Sequence, residues 1–458
     1  MNNSTVSMEK VRKLDERVFQ ELLRVNCSLL CVNKARGKRR TIPLRALYEN
    51  DREFWLRESS EWSYFVDSSL IDHINDGLKA VDLELEKRLT RHEESIEKEL
   101  SGEYSLLREI PPGERINALR ETLEKINRLI ESRHFSDQEK RDVLVEASYY
   151  SWLVNKVTLE EVSGLSDRDA RLASEEVARM TEKIVDALSD VLSEEDERYT
   201  YMHSLMDKSN GSTVRHMVRT FVMAHRFILF FNRQMNEKGL ASRLRADFGL
   251  YRKWYASLLP GIPEQDLTLE HIFKGGIRPV SEKELKVYSA GFLLHDIGKQ
   301  RYINYFEGAE GYDSRKVEAH AKTGFRMLLQ KSVYSRKIAA IAGFHHEYYG
   351  HESGYGYYRE LKALMQLDNC NHRHNSCISY DLDDLNRFES LAYLPVKFLE
   401  IVDVYDAVTD PVRTYKRHMR TGEALKFIRT EFVDNNKKLD IILFDLFVRF
   451  MASERPVV

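Results

Sequence analysis

The sequence has little of what marks secreted or disulfide-stabilised proteins. Its 458 residues include only four cysteines, too few to suggest a disulfide framework. The first residues, "MNNSTVSMEKVRKLDERV", lack the apolar segment of a secretory signal. We therefore expect a cytoplasmic protein in a reducing compartment.

Excess charge of one sign and long apolar runs are also missing. The formal net charge is -3, so the chain as a whole is not drawn to nucleic acid or to membranes. The richest apolar stretches are "FVMAHRFILFFN" and "LDIILFDLFVRFMA", and ionisable residues interrupt both. Neither reaches the roughly 18 uncharged residues that a membrane span needs. They predict buried core helices, with no membrane span and no nucleic-acid partner.

The chain is long enough for two or three domains, because one core rarely grows past about 250 to 300 residues. Two β-prone runs in residues 27–43 and "WSYFVD" at 62–67 predict a small sheet, whereas later apolar residues recur at helical spacing. The predicted fold is predominantly α. A small α/β module covers 1–67, a helical accessory region covers 68–196, and an all-α helical bundle domain covers 197–458.

The most informative stretch is "SEKELKVYSAGFLLHDIGK". Ser281 and Glu284 form a capping-box pattern that begins a helix, so His295 and Asp296 fall near its C-terminal end. Neighbouring helical side chains point about 100° apart and can hold a small object between them. A carboxylate can bridge two cations and a neutral imidazole binds one, so the pair suits a metal site.

More candidate ligands follow along the chain. His320 lies in "EAHAKTG", His345 and His346 lie in "AGFHHEYYG", and Asp403 lies in "LEIVDVYDAVTD". Each sits on or beside an apolar helical stretch, where an ionisable group is costly unless it is hydrogen-bonded or binds a metal. The series predicts a buried metal centre in the last region.

The motifs "HDIGK", His-x-x-x-Gly, "HHE", "SGY" and "DVYDAVT" together resemble the HD-GYP family of cyclic di-GMP phosphodiesterases, within the HD superfamily of metal-dependent phosphohydrolases. The resemblance covers roughly residues 200 to 425 and implies an all-α HD-domain bundle. It implies the following metal ligands: His216, His295, Asp296, His320, His345, His346 and Asp403. His203 is an alternative to His216 as the first ligand. By the same resemblance Asp296 bridges two metals, and Lys299 is a conserved lysine beside them.

The sequence departs from the family at two informative positions. Serine stands at position 212, where some members have a glutamate that helps to hold a third metal, so a dinuclear centre is favoured. The Gly-Tyr-Pro motif appears as Gly354, Tyr355 and Gly356, and the missing proline is expected to loosen this loop. The loop remains a candidate contact for substrate and for signalling partner proteins. Arg413 and Lys416 are the candidate phosphate contacts, with a solvated loop as the alternative.

The function that the resemblance implies is hydrolysis of a 3′,5′-phosphodiester of cyclic di-GMP to pGpG, with GMP as a further product left open. Asp296 and Lys299 are the candidate catalytic residues, and two divalent metal ions, iron or manganese with zinc as a further option, are the cofactors. One alternative is a cyclic di-GMP receptor or scaffold without turnover, and another is a phosphohydrolase acting on a different nucleotide. A homodimer is also open.

A separate cysteine and histidine cluster occurs in "CNHRHNSC". Cys370, His372, His374 and Cys377 have zinc-binding side chains, but their spacing is not that of the usual Cys-x-x-Cys knuckle. A second zinc site and an ordinary polar loop both remain open for this segment.

Overall fold

The computed structural model describes residues 8–11, 14, 16–25, 27–51, 54, 59, 61–76, 107–132, 135–193, 212–273, 277–299, 314–360, 392–410 and 419–453. The chain divides into two compact units, Met1–Glu94 and Ser95–Val458. The fold is predominantly α with one small sheet, which confirms the predicted class.

The first unit contains an antiparallel sheet and short helices. Its elements are β1 (Met8–Lys10), α1 (Glu16–Arg24), β2 (Ser28–Asn33), β3 (Arg39–Pro43), α2 (Leu44–Asn50), β4 (Trp62–Asp67) and a helical segment at 68–76. The strand order is β1-β4-β2-β3. The register pairs Leu30 with both Thr41 and Phe65. Buried apolar side chains such as Phe19 and Leu29 form the core of this unit. The three predicted strands are present, and β1 was not predicted.

The second unit is helical in its described residues. Its helices are α3 (Pro112–Glu131), α4 (Asp137–Glu161), α5 (Asp167–Ser193), α6 (Ser212–Glu237), α7 (Leu240–Asp247), α8 (Gly249–Ala256), α9 (Leu269–Ile272), α10 (Glu282–Leu294), α11 (Ser314–Lys331), α12 (Arg336–Phe344), α13 (Leu394–Thr409), α14 (Thr421–Ile428) and α15 (Ile441–Ser453). A π-helical turn at Arg429–Asn435 follows α14. The capping box predicted at Ser281 is formed, and a second one forms at Ser136. The apolar stretches on α6 and α15 are buried as core helices. No helix in the described ranges combines the length and apolar character needed to cross a membrane.

One core joins the early and late helices of this unit. Helix α10 packs against α6 and α12, and α13 packs against α6. The earlier helices α4 and α5 pack against α6 and α10, so residues from 107 to 451 share one hydrophobic cluster. The domain boundary predicted at 196 stays a prediction; in packing, the described accessory helices belong to the same compact unit as the candidate site.

Candidate metal centre

The His295–Asp296 pair lies in a tight turn immediately after α10. The Ile297 N–H donates to Leu294 O at 3.1 Å, and the Lys299 N–H donates to Asp296 O at 3.0 Å. Gly298 brings this turn against α11, because a Cβ at this position would lie 2.0 Å from His320 O. Any side chain there would separate the two segments. The glycine therefore allows Asp296 and His320 to approach each other.

Three histidines of the centre make the same local hydrogen bond. Nδ1 of His295 lies 2.8 Å from Phe292 O, and Nδ1 of His345 lies 2.8 Å from Ala342 O. His320 makes the equivalent contact with Val317 O. A carbonyl oxygen only accepts, so each Nδ1 carries the proton and each Nε2 presents a lone pair.

These Nε2 atoms converge on one carboxylate. His320 Nε2 lies 3.1 Å from Asp296 Oδ1 and 3.2 Å from His345 Nε2. Both partners of each contact are acceptors in this tautomer, so neither contact is a hydrogen bond. Among the described residues, His295 Nε2 and Asp296 Oδ1 are buried without a hydrogen-bond partner. Buried acceptors in this arrangement require a cation or a proton between them.

His216 on α6 lies near the other oxygen of Asp296, Oδ2, and near Asp403. Its Nε2 lies 3.0 Å from Asp403 Oδ1 and 3.5 Å from Asp296 Oδ2. Its Nδ1 lies 2.8 Å from Asp406 Oδ2, and Arg219 bonds the same carboxylate through Nε and Nη2. Asp406 therefore fixes the ring of His216 in the way that carboxylates fix metal-binding histidines. His203, the alternative first ligand, lies outside the described residues.

His346 completes the ring of side chains from a strained turn. Its Nδ1 lies 3.1 Å from the Tyr348 hydroxyl and 3.8 Å from Asp403 Oδ2. Tyr348 and Tyr349 both have positive φ, 45° and 54°. Left-handed backbone at two successive tyrosines costs of the order of 1–3 kcal/mol each and persists only where surrounding contacts hold it.

The Gly354–Gly356 loop folds onto this turn. The N–H groups of Tyr355 and Gly356 donate to His346 O at 3.0 and 3.1 Å. The Tyr355 ring lies 4.3 Å from the His346 ring, centroid to centroid. A proline at position 356 could not donate the second bond. The loop is thus held by backbone hydrogen bonds, in contrast to the expected loosening.

Burial and charge shape the protonation of these groups. Burial alone would raise the pKa of Asp296, but the ammonium of Lys299 holds it well below its usual range. Burial lowers the pKa of His295 to about 3 and that of His346 well below its ordinary value. Burial also acts to lower the pKa of His216, but the carboxylates of Asp403 and Asp406 outweigh it and raise that pKa.

We call the predicted ligands the acceptor cluster. It consists of His216, His295, Asp296, His320, His345, His346 and Asp403. These buried residues form overlapping groups that could hold a metal ion, in each of which the ligand atoms lie within 4.8 Å of one another. The unpartnered acceptor atoms and the fixed tautomers fit such an ion. The mixed imidazole and carboxylate set does not choose between iron, manganese and zinc.

The other predicted site residues divide into two groups. Lys299 lies at the cluster, with its ammonium against Asp296 Oδ2 and 17% of its side chain exposed. The candidate phosphate contacts and the second cysteine and histidine cluster lie outside the described residues: Arg413, Lys416, Cys370, His372, His374 and Cys377. The sequence analysis missed Asp406, although its spacing of three from Asp403 places both carboxylates on one helical face.

Comparisons with protein-family models, with curated proteins and with solved structures found no match to this chain. The case for a function therefore rests on the residues themselves and on the motif resemblance.

Proposed function

We propose that this protein is a metal-dependent phosphodiesterase that hydrolyses cyclic di-GMP to pGpG at a dinuclear centre. The observation that carries the proposal is the acceptor cluster, in which buried lone pairs of histidines and aspartates face one another. The nucleotide itself comes from the resemblance to the HD-GYP family, and the product GMP remains open.

Two sets of ligands lie on either side of Asp296. His320 and His345 face its Oδ1, at 3.1 and 3.6 Å. His216 and His295 face its Oδ2, at 3.5 and 3.6 Å. This division supports Asp296 as the bridging carboxylate between two cations. One cation would be held by His216, His295 and Asp403, and the other by His320, His345 and His346.

Two divalent cations held by the acceptor cluster would supply a nucleophilic hydroxide at neutral pH and would neutralise charge that develops on the phosphate. The protein's own residues set the protonation and orientation of the ligands and place a cation beside them. The carbonyls behind His295 and His345 keep each Nε2 unprotonated and aimed inward. Lys299 is partly exposed beside Asp296, and we expect its ammonium to contact an oxygen of the scissile phosphate.

Tyr355 is the described aromatic side chain best placed to meet the substrate. Its ring is half-buried, lies over His346 and is 5.7 Å from the His320 ring. A base that stacks on this ring would place its phosphate near the cluster. We expect Tyr355 to affect KM for cyclic di-GMP more than it affects metal binding.

The test measures metal content and cyclic di-GMP hydrolysis on the same anaerobically purified sample, beside the Asp296→Ala variant. We expect about two metals per chain and conversion to pGpG. In Asp296→Ala the metal affinity and the rate of hydrolysis should each fall by more than about 100-fold, because loss of a direct ligand should matter more than loss of an outer partner. Nucleotide binding without product, after iron or manganese loading, would instead indicate a receptor. Faster hydrolysis of another nucleotide would indicate a different phosphohydrolase.

A further inference from the structure

A buried lysine from the accessory helices reaches the turn that carries Asp296. Lys156 lies on α4, and only 3% of its surface is exposed. Its ammonium donates to Ile297 O at 2.7 Å and also to Lys299 O. The two bonds join Lys156 to residues that are 141 and 143 positions away in the sequence, so they are formed by tertiary packing.

The two carbonyls belong to the backbone immediately after Asp296. On the other side of this turn, Gly298 lies against His320 O and the backbone of Gly324. The turn is therefore held between α11 and the Lys156 ammonium. An ammonium has three donors, so one side chain can hold two carbonyls that a neutral, apolar residue would leave unpaired.

Lys156 is also connected to the start of this helical region. Its ammonium lies 3.4 Å from Glu160, and Glu160 pairs with Arg108 at 2.8 Å. The next residue, Glu161, receives two bonds of 2.8 Å from the buried Arg115. Ion pairs therefore connect residues 108–115 to the end of α4, and Lys156 extends this connection by its hydrogen bonds to the Asp296 turn.

The burial of Lys156 needs an explanation beyond packing. Desolvation of a charged ammonium is costly, and here it lowers the pKa of Lys156, although Glu160 opposes that shift. A positive charge near a cation-binding cluster would by itself weaken metal binding. For Lys156 to favour metal binding, the free energy gained by holding the ligands in position would have to exceed this repulsion.

We infer that Lys156 is a positioning residue, which holds the Asp296 turn in its metal-binding geometry and makes the accessory helices part of the metal site. This inference rests on the metal centre of the proposed function, but it does not depend on the nucleotide that is hydrolysed. Removal of the Lys156 charge should weaken metal binding if the lysine positions the turn, and should strengthen metal binding if its electrostatic repulsion dominates.

The experiment measures Mn²⁺ affinity of the full chain by competition with a chelator, for the wild type and for Lys156→Met. Loss of an outer partner of a metal site typically costs 10–100-fold in metal affinity, and we expect weakening within about this range. Lys156→Gln keeps an N–H donor for one carbonyl, so its Mn²⁺ affinity should lie between those of the wild type and Lys156→Met. If Lys156→Met does not fold, Lys156→Gln decides the question by the same measurement.

Asn155→Ala is the matched control. Asn155 is adjacent on α4, 2% exposed, and bonded to Ser151 O and Thr181 at 2.7 Å and to the Tyr334 hydroxyl at 2.6 Å. Its loss should lower the Tm of metal-free protein while leaving Mn²⁺ affinity unchanged. For the lysine variants, the rise in Tm on adding Mn²⁺ should also shrink, which a purely structural effect would not produce.

The outcomes separate this inference from the proposed function. A wild-type chain that binds neither Mn²⁺ nor, measured in the same way, Fe²⁺ or Zn²⁺ would overturn the metal centre, and the positioning role with it. A wild-type chain that binds Mn²⁺, together with lysine variants that bind it equally or more tightly, would overturn the positioning role alone. Equal weakening in Asn155→Ala would also overturn it, because the effect would then follow general destabilisation of α4.

Discussion

Two of the polar clusters that are buried among the described residues of the helical unit differ in how their charges are satisfied. One is the acceptor cluster. The other, which we call the tyrosine cluster, consists of Tyr255, Tyr349, Lys397, Glu400 and Asp440. Its Asp440 accepts from both tyrosine hydroxyls and, at 2.8 Å, from the Leu443 N–H. Donors and acceptors are matched there within the protein.

Glu400 and Lys397 show the same matching. Lys397 donates to Glu400 Oε2 at 2.7 Å and lies 3.7 Å from the centre of the Tyr349 ring. The other oxygen, Oε1, accepts from the Tyr348 N–H at 3.0 Å. The tyrosine cluster thus supports the strained turn that carries His346.

The contrast distinguishes a structural polar core from a ligand site. Both clusters bury carboxylates, so burial and residue type do not separate them. The distinction is that the tyrosine cluster pairs its acceptors with donors, whereas the acceptor cluster turns imidazole lone pairs toward carboxylates. A fully satisfied network stabilises the fold, whereas facing acceptors need a cation or a proton between them.

Metal removal should separate the two clusters most strongly. Chelation with EDTA should lower the free energy of unfolding by about 3 to 4 kcal/mol for a site held at 100 to 1,000 times its Kd. We expect the Tm measured by calorimetry to fall on chelation and to recover with Mn²⁺. Asp296→Ala protein, which lacks the proposed bridging carboxylate, is the control that should respond little. An unchanged wild-type Tm would mean that the facing acceptors are satisfied without a metal.

The tyrosine cluster should instead respond to pH. Burial raises the pKa of Glu400 to about 7, against the opposing effect of Lys397. The folded chain then binds more protons than the unfolded chain between pH 4.5 and 7, so its stability falls as pH rises through this window. Glu400 alone should account for a decrease of about 3 kcal/mol.

The check is urea unfolding in EDTA from pH 5 to pH 7.5, for the wild type and Glu400→Gln. Glutamine does not titrate, so the difference in unfolding free energy between the two proteins should change across this range. The chelator removes any contribution from metal release. A constant difference would mean that Glu400 stays ionised when buried, matched fully by Lys397.

The sequence predicts the members of the acceptor cluster better than it predicts the residues that support them. His295 and Asp296 were expected at a helix end, and α10 ends at Leu294. That expectation succeeds because a capping box and a helical apolar pattern are local signals. The predominantly α fold is confirmed for the same reason. Strand β1 is only three residues long and forms by pairing with β4, so no local pattern indicates it.

The supports of the site depend on contacts between distant segments. Lys156 bonds a turn 141 positions away, and Asp406 bonds His216 190 positions away. Lys156 lies in no distinctive local pattern, and the spacing of Asp406 from Asp403 does not indicate which residue Asp406 bonds. The bidentate pair of Arg219 and Asp406 likewise becomes evident only once α6 and α13 pack together.

Asp406 offers a finer comparison at the edge of the acceptor cluster, because it holds His216 without itself belonging to the cluster. It accepts from His216 Nδ1, which keeps the Nε2 lone pair directed at Asp403 and Asp296. In Asp406→Asn the amide cannot serve both His216 and Arg219 as the carboxylate does. We expect Mn²⁺ affinity, measured by chelator competition, to weaken by about 10–100-fold.

Asp410→Asn is the matched control for this variant. Asp410 pairs with Arg219 Nη2 at 2.8 Å, but His216 takes its carboxylate contact from Asp406. If the orientation of His216 controls affinity, Asp410→Asn should change Mn²⁺ binding by a smaller factor than Asp406→Asn. Equal losses in the two variants would place the effect in Arg219, since this is the side chain that both aspartates hold.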